Sequence, residues 1–364
     1  MKGEGRIAEV AARSAIRNPQ SAILAALTAL ALLTACSPKE APVYEEQAYV
    51  FGTLVEIKIA GEPEARAREL AGQVFQEFGR MHNALHPWKP GPLESINEAF
   101  ARGETAPVDE DTAAVIRDAA SYSEKSGGSF NPAIGNLVRL WGFHAEEFAP
   151  RRPDSKEIER LVAAHPSLGD LSIAGGRVAS RNPAVRLDFG GYAKGLALDI
   201  AARRLRAAGA TNALINIGGN VLAIGRRGER PWRVGIQHPR RPSAIATLEL
   251  EDGEAIGTSG DYQRYFELEG RRYCHIIDPR TGYPVQGVQA ATALVPKGPA
   301  SGTVSDVVTK PMFVAGAEGW RDAARRLGVE AALLIDARGE VQVSAALAQR
   351  LEFLDKSTVV RRLP

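Results

Sequence analysis

Asp188-Phe189-Gly190-Gly191-Tyr192-Ala193-Lys194-Gly195, DFGGYAKG, joins a strand ending near Leu187 to a helix expected over residues 192–208. Gly190 and Gly191 lack a Cβ and let the backbone come close to a ligand. The helix N-terminus presents N–H groups and the positive end of its dipole, which suit a phosphate. Lys194 adds a point charge in the first turn. The run matches neither G-x-G-x-x-G nor G-x-x-x-x-G-K-[ST]. Taken alone it reads equally as a tight strand-to-helix turn with a solvated lysine.

Outward from this turn, apolar spacing predicts helices over residues 63–84, 110–125 and 155–164. It predicts two more over 305–316 and 318–327, with Pro311 interrupting the first. Residues 48–60 read as one strand. Further strands are expected at 212–217, 220–225, 231–237, 245–250, 263–268, 272–277, 288–295, 330–335 and 340–344. Several connections are of hairpin length, which argues for antiparallel pairing rather than repeated strand-helix-strand units. The fold class is α+β, antiparallel-rich sheets with flanking helices.

The N-terminus has a different character. Lys2, Arg6, Arg13 and Arg17 precede an uncharged run, SAILAALTALALLTA, at 21–35. A basic segment before a short apolar one is the pattern of an export signal. A helix over that run spans about 22 Å, short of a ~30 Å hydrocarbon core. Leu33-Thr34-Ala35-Cys36 resembles the bacterial lipobox. That implies lipidation at Cys36 after removal of residues 1–35, with the chain anchored in the cell inner membrane and facing the periplasm. An uncleaved anchor and a simple signal peptide are the alternatives. Residues 36–47 read as a polar tether, and 48–350 as the working domain. If Cys36 carries lipid, Cys274 has no intramolecular partner and no disulfide framework is possible. The chain holds 45 Lys+Arg against 43 Asp+Glu, so nothing in its charge calls for nucleic acid.

Further motifs join the glycine turn: FGT at 51–53, GGSFNPAIGNLVRLWGF at 127–143, LINIGG at 214–219, GTSGDY at 257–262 and YCHIIDPRTGYPV at 273–285. In their order and spacing they resemble the ApbE family, the FAD:protein FMN transferases, from about residue 48 to 335. The resemblance implies an ApbE/T-fold-like domain. It also implies a reaction in which FAD binds with Mg²⁺ at its pyrophosphate. A Thr or Ser hydroxyl of an exported flavoprotein acceptor subunit attacks the FMN phosphorus, AMP leaves, and FMN stays as a phosphoester. Such chemistry rests on positioning and charge neutralisation.

Residue by residue, the resemblance assigns catalytic roles to His275, Lys194 and Asp306. Lys194 contacts FAD, and Asp188 is the acidic residue before it. His275 takes the hydroxyl proton or holds a phosphate oxygen; with a reference pKa near 6.5 it can do either. The alternative is a structural histidine at a strand end. Ile276 touches flavin or ribose. Phe51 and Trp88 fall where flavin contacts lie, with plain core the alternative for Trp88. Ser129, Phe130 and Asn131 match the segment cradling adenosine. Thr258 and Asp261 read as binding-site wall, and Trp141 and Trp232 as core. For Mg²⁺ the resemblance offers the Gly191 carbonyl and the Asp306 carboxylate.

The chain departs from the family pattern at Phe51 (Met in the family) and at Asn131 and Asn220 (Asp in the family). It departs most at Asp306-Val307-Val308-Thr309-Lys310, where Lys310 replaces a metal-ligating threonine. A charged lysine has no acceptor. Three readings stay open. Thr309 or water replaces the hydroxyl and Mg²⁺ is kept; the Lys310 ammonium fills the cation position; or Lys310 turns to solvent. Three function classes follow: the flavin transferase, an FAD pyrophosphatase giving FMN and AMP, and a non-catalytic flavin-binding lipoprotein.

Overall fold

The computed structural model describes residues 42–363 except Glu146 and Phe148. The expected signal segment 1–35, the lipidation site Cys36 and the tether up to Ala41 lie outside the described residues. In chain order the elements begin with strands β1 (Val43–Val50) and β2 (Thr53–Ala60) and helices α1 (Glu64–Leu85) and α2 (Pro92–Ala101). Next come β3 (Ala106–Pro107), α3 (Glu110–Lys125), α4 (Gly135–Leu140), α5 (Ser155–Ala163), β4 (Leu171–Ala174), β5 (Arg177–Ser180) and α6 (Ala193–Ala207). Strands β6 (Ala213–Ile217), β7 (Asn220–Ile224), β8 (Trp232–Gln237), β9 (Ala244–Leu250), β10 (Ala255–Gly260), β11 (Tyr265–Leu268), β12 (Arg271–Cys274) and β13 (Val288–Val295) follow. The chain ends with α7 (Ser301–Arg326), β14 (Ala331–Asp336), β15 (Val341–Ser344), α8 (Ala345–Ala348), β16 (Glu352–Phe353) and β17 (Val360–Leu363).

Nine strands form the central sheet in the order β1-β2-β6-β7-β10-β13-β14-β15-β17. Its pairs are antiparallel except the last, β15 with β17, so the α+β expectation describes the fold. Both faces of this sheet are covered. On one, Val55, Ile57, Ile215, Ile217 and Leu222 pack against α1 and α6. Val308, Met312, Phe313 and Trp320 of α7 cover Ala291, Ala293 and Leu334 on the same side. On the other face, Leu214, Ala223, Ile256 and Leu333 meet Trp232, Ile236, Leu248 and Leu250 of the small sheet β16-β9-β8. Double coverage explains why every residue of β13 is buried, and why its apolar residues fall on both faces rather than alternating with exposed ones. A separate core gathers α2, α3 and the β3-β5-β4 ribbon around the 185–193 segment.

Several boundaries differ from expectation. Residues 48–60 are not one strand but the second part of a hairpin: β1 starts at Val43, inside the expected tether, and turns at Phe51–Gly52. Both turn residues have positive φ, 56° and 71°, the two-residue turn that matches strand twist. The domain also runs past 350, because β17 pairs with β15. Pro311 does not end its helix; the chain breaks instead at Gly316, with φ 65° and ψ −170°. Among the described residues no helix is long and apolar enough to cross a membrane.

Candidate active site

The glycine turn is held from two sides. Arg186 and Asp188 donate their N–H groups to Ala133 and Pro132 at 3.1 and 2.8 Å, tying the turn to the segment that carries Ser129–Asn131. From α2, the buried Asn97 amide accepts the Leu187 N–H at 2.6 Å and donates to the Leu187 carbonyl at 3.0 Å. The Asp188 carboxylate accepts the Gly190 N–H at 2.8 Å, closing a local turn before α6. The chain then enters α6 with the Lys194 ammonium 3.1 Å from the Gly190 carbonyl.

Helices α6 and α7 meet backbone to backbone. A Cβ on Gly195 would lie 2.5 Å from the Gly302 carbonyl oxygen, and one on Gly302 would lie 2.6 Å from that of Gly195. The close approach lets each helix cap the other. Asp306 of α7 accepts the Gly195 N–H at 3.0 Å, in the first turn of α6. Asp199 of α6 accepts the Gly302 and Thr303 N–H groups, each at 2.8 Å, and the Thr303 hydroxyl at 2.6 Å.

Asp306 is 1 % exposed. Lys310 donates to its carboxylate and, at 2.8 Å, to its main-chain carbonyl; the Lys194 ammonium stands 3.7 Å from the same carboxylate. Burial pushes the Asp306 carboxyl up, but Lys194, Lys310 and the Gly195 N–H outweigh it and hold it at about 2. Burial draws Lys310 down to about 8, against the pull of Asp306. The Lys310 side chain is only 16 % exposed, so it does not turn to solvent. Its stem crosses the turn at Gly191, where a Cβ would sit 3.1 Å from the lysine Cε. Thr309 is fully buried, and its hydroxyl is taken by the Asp306 carbonyl and Ser259, both at 2.7 Å.

His275 extends the β11–β12 hairpin by one pair: its N–H and Nδ1 lie 3.0 and 3.2 Å from the Arg264 carbonyl. Nδ1 is therefore the protonated nitrogen and Nε2 carries the lone pair. Burial, then the cations Arg264, Lys194 and Lys310, lower His275 to about 3, so the ring is neutral. Burial pushes Asp188 up, opposed by the Gly190 N–H and by Arg264, Lys194 and Arg186. The fold thus brings Asp188, Gly191, Lys194, His275, Asp306 and Lys310 into one cluster.

The other sequence candidates lie around or away from it. Phe51 packs edge-on against Phe78 and His82. Trp88 lies under the Arg186 guanidinium, 4.7 Å from the ring centre, beside His144. Ser129 donates to the Ser126 carbonyl, and Asn131 is spent on Pro166 and Ala133. Phe130 and Ile276 are core side chains, 4 % and 6 % exposed. Thr258 points to the opposite sheet face, where it bonds Thr292 at 2.9 Å. Asp261 is gripped by both outer nitrogens of Arg240 at 2.6 Å. Asn220 Oδ1 is buried without a partner, as are His144 Nδ1 and Arg186 Nε. Sequence reasoning missed Arg264 and Asn97. Leu93, Ile96 and Phe100 at helical spacing after Pro92 would have revealed α2, and hence Asn97.

Residues 51–333 match the model of the ApbE family. An FAD:protein FMN transferase of Rhodobacter capsulatus is 41% identical over 86% of this chain, which spans 60% of that relative's length. One from Treponema pallidum is 30% identical over 88% of this chain and 91% of its own. The ApbE crystal structure from Thermotoga maritima superposes with a TM-score of 0.77 at 31% identity, covering 85% of this chain and 99% of that one. The flavinyl transferase ApbE of Pseudomonas stutzeri gives 0.73 at 28%, over 86% and 98%. The match runs through every motif that builds the cluster, and the chain belongs to the ApbE family.

Proposed function

We propose that this chain transfers FMN from FAD to a Thr or Ser hydroxyl of a partner flavoprotein, leaving a phosphoester and releasing AMP. The observation that carries this reading is the cluster itself. Two lysines and Arg264 gather around a neutral histidine at the mouth of a glycine turn. Such a set suits the charged pyrophosphate of a dinucleotide. His275 Nε2 takes the proton as the acceptor oxygen attacks the FMN phosphorus. The electron pair of the breaking P–O bond leaves with AMP, and the ammoniums stabilise its growing charge. The negative substrate also offsets the cations that depress His275, making the ring a better base once FAD is bound.

Magnesium, which the family resemblance implies, does not fit these residues. Gly191 and Asp306 offer oxygens, but the Asp306 carboxylate is already bonded to the Lys310 ammonium, which repels a cation and has no lone pair to give. The Thr309 hydroxyl is engaged elsewhere. Among the described residues no group of three or more His, Cys, Asp or Glu could hold a metal.

The acceptor in this reading is an exported electron-transfer subunit, and the transferase is tethered beside it by lipid on Cys36. The basic-then-apolar N-terminus ending at Leu33–Cys36 supports this. A Cys36→Ser chain should move from the membrane fraction to the soluble one; unchanged partition overturns the anchor. The function is tested by mixing protein and FAD with an acceptor carrying a Thr-containing flavinylation motif. Covalent flavin on the acceptor is expected. Free FMN and AMP would make it a pyrophosphatase, and intact FAD a binding protein.

A further inference from the structure

We propose that the Lys310 ammonium is a built-in cation at the pyrophosphate position and that transfer by this chain needs no divalent metal. The inference rests on the transferase reading and adds to it. Three observations around Asp306 and Lys310 support it. Lys310 Nζ is bonded to both the carboxylate and the main chain of Asp306, which uses two of its three N–H groups. The third is left for an oxygen of the bound phosphates. Its stem lies across Gly191, and the absent Cβ makes the room: a methyl there would touch Cε at 3.1 Å. The Thr309 hydroxyl, one residue before Lys310, is bonded to the Asp306 carbonyl and Ser259 and cannot serve as a replacement ligand.

The physics favours the arrangement. A lysine is a competent phosphate binder as a point charge. Lys194 and Lys310 place two positive charges about one carboxylate, so the cluster stays net positive before any ligand arrives. In the transfer step the attacking oxygen forms its bond to the FMN phosphorus and its proton goes to His275 Nε2. The bridging oxygen departs with AMP, and Lys310 holds a phosphate oxygen throughout. No redox partner or further reactant is needed.

The test uses the full chain with FAD and acceptor. Wild-type protein stripped with a chelator should keep its transfer rate, and added Mg²⁺ should change it less than twofold. Lys310→Met, similar in length but uncharged, should lose at least 100-fold and not recover with Mg²⁺. Lys310→Thr should turn the enzyme into one that works only with Mg²⁺. Independently of activity, Mn²⁺ titrated into the FAD-loaded proteins and followed by its EPR signal should bind to Lys310→Thr and not to wild type. Loss of wild-type transfer in chelator with recovery in Mg²⁺, or stoichiometric Mn²⁺ binding by wild type, overturns the proposal. Absence of transfer under every condition would instead strike the transferase reading, and the Mn²⁺ comparison would still decide the question of the cation.

Discussion

Two buried aspartates sit on the same pair of helices and do opposite things. Asp199 and Asp306 each cap the helix opposite, and they are 4 % and 1 % exposed. Around Asp199 the close donors are N–H groups and a hydroxyl. Burial there outweighs those donors and a lesser pull from Arg203, and the carboxyl is pushed up. Around Asp306, one N–H is joined by two ammoniums, and the balance tips the other way. Dipoles satisfy a carboxylate; only charges in this number make it part of a polar, cation-rich pocket. Burial alone therefore does not fix the direction in which a buried carboxyl shifts; the number of cations beside it does.

Substitutions at the two ends can break this contrast. The largest effect is expected from Asp306→Ala, which strands two ammoniums. Transfer should fall below detection, and denaturant unfolding should report a loss of about 3–5 kcal/mol. Near-normal turnover would place the chemistry elsewhere. His275→Ala, in the same electrostatic field, should slow transfer roughly 10²–10⁴-fold with the fold intact. It should also flatten the acid limb of stability. In wild type the unfolded histidine binds a proton below about 6.5 and the folded one only near 3, so stability is full above 6.5 and declines as pH falls through that window. A variant with the same acid limb would show that the ring is solvated and able to charge. Asp199→Ala should cost about 2 kcal/mol in thermal unfolding while kcat per folded molecule stays within a few-fold. A specific loss of kcat would erase the distinction between the two ends. The smallest change is expected at Ser259→Ala, about 1 kcal/mol from the lost bond to Thr309, with FAD affinity unchanged by fluorescence titration.

Sequence pattern located much of this architecture. Long amphipathic elements such as α1, α3 and α6 carry their own periodicity, and they stand within a residue or two of expectation. Strand β10 was not legible. Its sequence, AIGTSG, is poor in β-formers, and its place is fixed by pairing with β7 and β13. With β10 a central strand, Thr258 and Ser259 of the TSGDY motif face opposite sides of the sheet. The conjunction of Asp188, Lys194 and His275 could be anticipated from motif order. Arg264 could not, because only the hairpin register sets it beside His275. Lys310 was legible as an anomaly, but which way its side chain turns is a matter of packing across Gly191.

The contact between Gly195 and Gly302 has a consequence for how the protein can change over time. Where side chains separate two helices, a substitution elsewhere can be absorbed by a new rotamer, and the helices drift. Here carbonyl meets backbone, and the α7 side of the contact is hemmed in again where Gly257 of β10 abuts Ser305. In both contacts the nearest neighbour is a main-chain oxygen, which has no rotamer to repack. The spacing between the helix that carries Lys194 and the helix that carries Lys310 should therefore be the slowest feature of the molecule to diverge, even where the surrounding core is rewritten.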